Sequence, residues 1–454
     1  MASIYPFRAF RFRPEKAGAA LADLVTQPYD KITPAMQERY YQLSPHNLIT
    51  LEKGKPEPGD NGENVYTRAA KWLEKTIAAG ALAPEAEPAI YPYFQEYSFP
   101  GTHERRVRKG FIALGRIEDY SAEVVFRHEL TLSGPKKDRL ELLRHTRAHT
   151  GQLFMIFSDP AGQVDRLLEQ VARSQPPQEV TDEFGDIHRL WVATDTATVK
   201  RFQELMADKR LIIADGHHRY ETALAYRNEC RSRLRQGSGG QAHGGYNLEA
   251  PYERVMMTFV NMEQPGVTIL PTHRVVANLP GFDFNAFREK ASVFFDWYAY
   301  PRNASGRGGF IRLLRDLAER GAQRPSFGVC VAGEPALYLF LLKVNVDLGK
   351  ELPQVSARQR QLDLVVLHRL LLDRCLGLSE ESVRQEKNLH YLRGAEEAVA
   401  LVDRGEAPVA FLVNPVRVQQ VRDIALAGET LPQKSTDFYP KMLSGITIYR
   451  LDHA

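Results

Sequence analysis

The chain has 454 residues, 43% of them hydrophobic and 25% charged, with a formal net charge of +3. These are the values of a soluble globular protein long enough for two or three domains, and the near-neutral balance gives no argument for a nucleic-acid or membrane partner. Three cysteines without a CxxC pair speak against a disulfide framework. The N-terminus has no basic-then-apolar leader, and no apolar run reaches about eighteen residues, so the expected setting is cytoplasmic.

Residues 4–13 alternate apolar and basic side chains, the pattern of a half-exposed strand. Gln27-Pro28-Tyr29-Asp30-Lys31-Ile32 reads as an extended loop, and Thr33-Pro34 opens a helix with a capping hydroxyl and a proline in first position. Ser44 to Ile49 reads as a turn into a short strand. Val65, Ala69, Trp72, Leu73 and Ile77 fall at helical spacing within Asn64 to Ala79, which ends at Gly80. Two strands, 89–99 and 107–116, flank Gly101-Thr102 as a hairpin. The cluster Arg105, Arg106, Arg108 and Lys109 reads as a solvated basic face.

His128-Glu129 begins a loop dense in chemistry that runs through Lys136 and Arg139 into a helix over 139–150. Glu129, beside a histidine and a Lys/Arg cluster, is a candidate general base or Mg²⁺ ligand; a structural ion pair is its other reading. His145 and His149 stand four apart on that helix, but HExxH is absent and no third ligand is indicated. A strand at 153–157, helices at 164–174 and 195–207 and a strand at 188–193 follow.

Leu211-Ile212-Ile213-Ala214-Asp215-Gly216-His217-His218-Arg219 then reads as a buried strand, a tight turn and a helix start, with the helix running over 218–230. Asp215 is a candidate helix cap, and Gly216 lets backbone turn and approach a ligand. The first helix amides lack intrahelical partners and attract anions, phosphate above all. Arg219 adds a forked donor, while His217 and His218 can donate, accept or shuttle protons.

A GxGxxA run lies within 237–245, but it follows a basic helix end rather than a strand and reads as a flexible loop. After a strand at 255–261, Leu270-Pro271-Thr272-His273-Arg274 places a hydroxyl, a histidine and an arginine side by side in a turn between strands. Helices and strands alternate beyond Asp283, with the strongest amphipathic helix over 362–376. Gln433-Lys434-Ser435-Thr436-Asp437 and Pro440-Lys441 form a last polar loop before a closing strand. The expected fold is α/β, a mixed sheet with flanking helices. Residues 1–280 would form one region, and 281–454 an α/β region returning the Lys434 loop to the cleft of the first.

Pro28-Tyr29-Asp30, His128-Glu129, Pro135-Lys136 with Asp138-Arg139, Asp215 to Arg219, Leu270 to Arg274, and Gln433 to Thr436 with Pro440-Lys441 occur in one order. Together they resemble, over nearly the whole chain, the bacterial and archaeal family catalogued as domain of unknown function 1015. Asp437 stands where that family's pattern carries an aromatic residue. The Asp-Gly-His-His-Arg turn is similar to the phosphate-handling motif of ParB/sulfiredoxin-like proteins, a resemblance that extends to ATP-dependent free serine kinases. It implies a kinase that makes O-phosphoserine from free L-serine, with Mg²⁺ and ATP or ADP as donor, and it implies that residues 1–280 are the catalytic nucleotide-binding region. Under that resemblance Gly216, His217, His218, Arg219, Lys136 and Arg139 would hold nucleotide phosphates, and Asp215 or Glu129 would hold Mg²⁺. Glu129, His218 and Asp215 would be catalytic, and Thr272, His273, Arg274, Lys434 and Ser435 would bind substrate. The competing readings are a nucleotide-binding ParB-like regulator without turnover and a metal-dependent hydrolase.

Overall fold

A computed structural model describes residues 2–129, 133–237, 247–302, 308–385 and 387–452. Most of the GxGxxA loop lies outside the described residues. The chain forms two compact units, Met1–Thr268 with Pro440–Ala454, and Ile269–Tyr439. No helix among the described residues is long and apolar enough to cross a membrane.

The first unit is built on a mixed sheet of nine strands. Its strands lie side by side as Val125–Phe126, Leu211–Asp215, Leu153–Phe157, Arg254–Asn261, Arg105–Arg116, Tyr91–Ser98, Ile187–Leu190 and Gln178–Thr181, and Ile4–Tyr5 also pairs with Arg105–Arg116. Leu211–Asp215 runs parallel to Val125–Phe126 and antiparallel to Leu153–Phe157. With a neighbour on each side and core packing on both faces, its residues Leu211 to Ala214 are all apolar and at most 4% exposed. Helices Gln163–Ser174 and Thr196–Met206 cover the sheet through Val164, Leu168, Val199 and Phe202.

The second unit carries an antiparallel sheet of six strands in the order Phe295–Pro301, Ala336–Leu342, Ser326–Val331, Val409–Leu412, His273–Val276 and Leu389–Leu392. Helices Gly308–Gly321 and Ala395–Asp403 pack on it through Leu313, Leu317, Ala398 and Val402. The amphipathic segment expected over 362–376 is helical, but after Asp363–Val366 it widens to π geometry over Leu367–Cys375, where the Leu376 N–H bonds to the Leu371 carbonyl.

Several local expectations are corrected. Ser44 to Ile49 does not lead into a strand: Asn47 accepts the Ile49 amide at 2.9 Å and starts the short helix Ile49–Glu52. The helix holding His145 is Ser133–Thr146; Arg147 takes φ 48°, and His149 lies in a short strand paired with Tyr449, so the two histidines do not share a helix face. The basic cluster at the hairpin is not wholly solvated, because Arg108 is 1% exposed.

Candidate active site

The strand Leu211–Asp215 passes through Gly216 into the helix His217–Gly237. Gly216 has φ 96°, a left-handed backbone that side chains resist. It also leaves no room, since a Cβ there would sit 3.0 Å from Leu153 and 3.1 Å from the Arg219 guanidinium. Asp215 is therefore the last strand residue rather than the cap. Gly216 takes the cap position, with its carbonyl accepting the Tyr220 amide at 3.0 Å. Asp215 instead accepts the Gly216 amide at 3.0 Å and faces Lys441 Nζ at 3.4 Å.

The charge around this turn is strongly positive. Burial favours a neutral Asp215, but Lys441, then Arg219, Lys31 and His217 outweigh it and hold the carboxyl well below its usual range. His217 is 7% exposed; burial first, then neighbouring His128, push it well below the ordinary imidazole value. His128, fully buried, packs edge-on against it with ring centroids 4.7 Å apart. Arg219 donates through Nη1 to the Gln152 carbonyl at 2.7 Å. His217 Nε2, Arg219 Nε, Thr222 Oγ1 and the side-chain amide of Gln152 have no hydrogen-bond partner among the described residues. Buried polar groups are usually hydrogen-bonded, so these atoms are open to a further partner; Arg219 and Thr222 line one cavity.

Glu52, 2% exposed, ties distant segments together behind the turn. It accepts the Tyr29 amide at 3.2 Å, the Ser444 hydroxyl at 3.0 Å and the Thr150 hydroxyl at 2.6 Å. A cavity of about 50 Å³, lined by Glu52, Arg139, Thr150, Arg219 and Thr222 among others, opens between them. Such a volume admits a few waters or a small polar group. Arg108 and Gln95 hold the loop that carries Lys441. The guanidinium reaches the Pro440 carbonyl at 2.5 Å and Gln95 Oε1 at 3.1 Å, it lies 4.5 Å over the Phe154 ring, and Gln95 donates to the Lys441 carbonyl at 2.8 Å.

The residues singled out from sequence fall in both units. Asp215, Gly216, His217, His218 and Arg219 form the turn. Glu129 follows His128 and is partly exposed. Lys136 is bonded to Glu221 on the helix, and Arg139 pairs with Asp138 at 2.6 Å and donates to the Glu52 carbonyl at 2.9 Å. Thr272, His273, Arg274, Lys434 and Ser435 belong to the second unit. There Arg274, fully buried, donates to the carbonyls of Thr272, Gln433 and Lys434. His273 accepts the Val413 amide at 3.1 Å and is pushed down to about 4 by burial and then by Arg274. Ser435 bonds to the Pro432 carbonyl, Lys434 is exposed, and Asp437 pairs with Arg393 at 2.8 Å. Sequence reasoning missed Lys31, Glu52, Arg108, Gln152 and Thr222. Lys441 was legible only as part of the last polar loop.

Comparison with known proteins gives a family-model match, "Protein of unknown function (DUF1015)", over residues 4–385. No curated protein matches the sequence. Among solved structures, a conserved hypothetical protein from Pyrococcus furiosus is 13% identical with a TM-score of 0.33, covering 73% of this chain and 93% of that one. A free serine kinase in complex with AMP is 12% identical with a TM-score of 0.31, covering 69% and 83%. SbnI with a C-terminal truncation, from Staphylococcus aureus, is 10% identical with a TM-score of 0.33, covering 73% and 85%. Likeness at this level transfers no residue role.

Proposed function

The chain belongs to the DUF1015 family, and from that premise and the geometry of the turn we propose a small-molecule kinase that phosphorylates free L-serine to O-phosphoserine with ATP, or ADP, as donor. One observation carries the reading. A helix N-terminus, Arg219 and His217 surround Asp215 together with Lys441 and Lys31, a concentration of positive groups at the strand-to-helix turn. That combination suits nucleotide phosphates.

Phosphoryl transfer needs positioning and charge neutralisation more than covalent help. The helix amides, His217, His218 and Arg219 hold the phosphates. The serine hydroxyl oxygen forms its bond to the terminal phosphorus as the bond to the bridging oxygen breaks; the shortened nucleotide leaves, and the hydroxyl proton passes to Glu129. Asp215, with Glu129 as the other carboxylate at hand, would hold Mg²⁺, a cation that binds through one or two carboxylates plus substrate phosphates. When bound, it neutralises phosphate charge. Among the described residues no three His, Cys, Asp or Glu side chains converge as a metal-ligand set, which speaks against the hydrolase reading.

The test is incubation of purified protein with Mg-ATP or Mg-ADP and a mixture of amino and hydroxy acids, with mass spectrometry for phosphorylated product. O-phosphoserine that disappears in folded His218→Ala and Glu129→Ala variants is the expected result. Nucleotide binding without product from any acceptor would replace the kinase with a regulator, and neither binding nor product would make the turn a purely structural feature.

A further inference from the structure

The second unit contains a groove of about 500 Å³, within the size range of small-molecule sites. It is lined by the C-terminal end of the helix Gly308–Gly321, the start of the short helix Leu348–Glu351, residues 357–363, and Arg417 just before the helix Val418–Leu426. Three arginines line this one space: Arg324, Arg360 and Arg417. None of the three forms an ion pair with a carboxylate among the described residues. Some other arginines of the unit are matched, as Arg374 is with Glu351 at 2.5 Å and Arg369 with Glu380 at 2.8 Å, while Arg288 and Arg312 hydrogen-bond to neutral groups.

Two of the three are oriented by backbone, leaving donors to spare. Arg324 Nη1 donates to the Leu342 carbonyl at 3.0 Å, and Arg360 Nε to the Ser356 carbonyl at 3.4 Å. Each guanidinium has five N–H donors, so one bond apiece uses little of the supply. Gly349 makes room for Arg360, since a Cβ there would lie 2.7 Å from Nη1. The groove also holds two carboxylates. Asp347 is committed to capping, accepting the Gly349 amide at 2.8 Å and the Lys350 amide at 3.4 Å. Burial pushes the Asp363 carboxyl up to about 6, against the pull of Arg417, so its charge fades on mild acidification.

We propose that this groove is a binding site for a small phosphorylated molecule, held by Arg324, Arg360 and Arg417. A phosphate group offers more acceptor oxygens than a single carboxylate, and three convergent forks match it better. The site lies in a different unit from the turn and does not depend on the kinase reading.

The experiment uses the full chain, with inorganic pyrophosphate as the probe. The protein is treated with phenylglyoxal, with and without pyrophosphate, and arginine modification is read by peptide mass spectrometry. Arg324, Arg360 and Arg417 are expected to react at least fivefold more slowly with pyrophosphate present, while exposed Arg312 reacts unchanged. Calorimetry of an Arg219→Ala variant, which removes binding at the turn, should retain one pyrophosphate site. Adding Arg417→Gln, a change at an exposed residue, should weaken that site at least tenfold. Modification of the three arginines at equal rates with and without pyrophosphate overturns the proposal. So does protection of Arg219 alone, which would support the turn instead, or equal protection by citrate, which would make the groove a general anion site.

Discussion

Gly151→Ala adds one methyl group and tests whether Arg219 is the phosphate-binding fork. Gly151 is not in the left-handed region, so its backbone accepts alanine. The new Cβ would lie 2.9 Å from Arg219 Nη1 and 3.0 Å from Ser444 Oγ, where about 3.5 Å is comfortable. Ser444 is fully buried; its hydroxyl bonds to Glu52 and its backbone exchanges two hydrogen bonds with Thr26. Arg219, with one hydrogen bond among the described residues, at 2.7 Å, is the group that yields. Losing a charge-assisted hydrogen bond to phosphate costs about 1.5–3 kcal/mol, or roughly ten- to hundredfold in affinity. Overpacking costs stability about 1–3 kcal/mol. Equilibrium titration with ADP reads the first effect and urea unfolding the second. Gly62→Ala is the control, because nothing lies within 4 Å of its Cβ. Wild-type ADP affinity in a folded Gly151→Ala protein whose urea midpoint has dropped would refute the assignment, because the methyl group would then have acted on packing alone.

Two further substitutions act on the Lys441 loop. In Lys441→Met, Asp215 loses the largest charge opposing its burial, and its folded-state pKa rises. A depressed carboxyl stabilises the fold above its unfolded value, about pH 4, and that stabilisation is lost as pH falls through the folded value. The variant should therefore lose stability at higher pH than the parent, with urea midpoints differing most at neutral pH and converging in acid; a gap constant with pH would show that Lys441 acts by packing. Arg108→Met sets two terms against each other. Orphaning the Pro440 carbonyl and Gln95 Oε1 costs about 1–3 kcal/mol each. Burial, the largest influence on Arg108, holds its pKa down to about 10 against a usual 12.5, and relief of that strain returns about 3 kcal/mol. The net change in urea stability should stay within about 3 kcal/mol, while ADP binding or turnover falls as the Lys441 loop loosens; unchanged ligand binding would leave Arg108 no positioning role.

What was legible in the sequence is what local chemistry decides. Four apolar residues followed by Asp215-Gly216 give a buried strand and a turn, and the helix spacing over Asn64 to Ala79 and the hairpin at Gly101 are equally local, whereas the Asn64 cap was not read. The cap at the turn was misplaced because Asp, a good capping residue, precedes a Gly that only the turn's positive φ could favour. Glu52, Arg108 and Gln152 were illegible for a different reason. Each is a polar side chain buried by segments remote in sequence, and the bond from Glu52 to Ser444 spans 392 residues. Exposure is the sound expectation for a lone Glu or Arg, and only the assembled sheet and its returning C-terminal segment reverse it.

Arg219 and Arg274 show why residue type alone does not locate a site. Both stand beside a histidine and read from sequence as anion forks in turns, although Arg274 lies in the strand His273–Val276 and Arg219 in the first turn of the helix His217–Gly237. Arg274 donates to the carbonyls of three residues, Thr272, Gln433 and Lys434, and braces its own unit. Arg219 reaches one carbonyl, and its Nε, like the neighbouring His217 Nε2, has no partner among the described residues. Backbone amides and carbonyls compete with any ligand for a side chain's donors, and burial makes an unspent donor costly to keep. Arg274 Nε is in the same condition as Arg219 Nε, so what separates the two arginines is that the terminal nitrogens of Arg274 already serve three carbonyls. An arginine with terminal donors left over has more to gain from a phosphate, and on that count the proposed phosphate site is better placed at Arg219 than at Arg274.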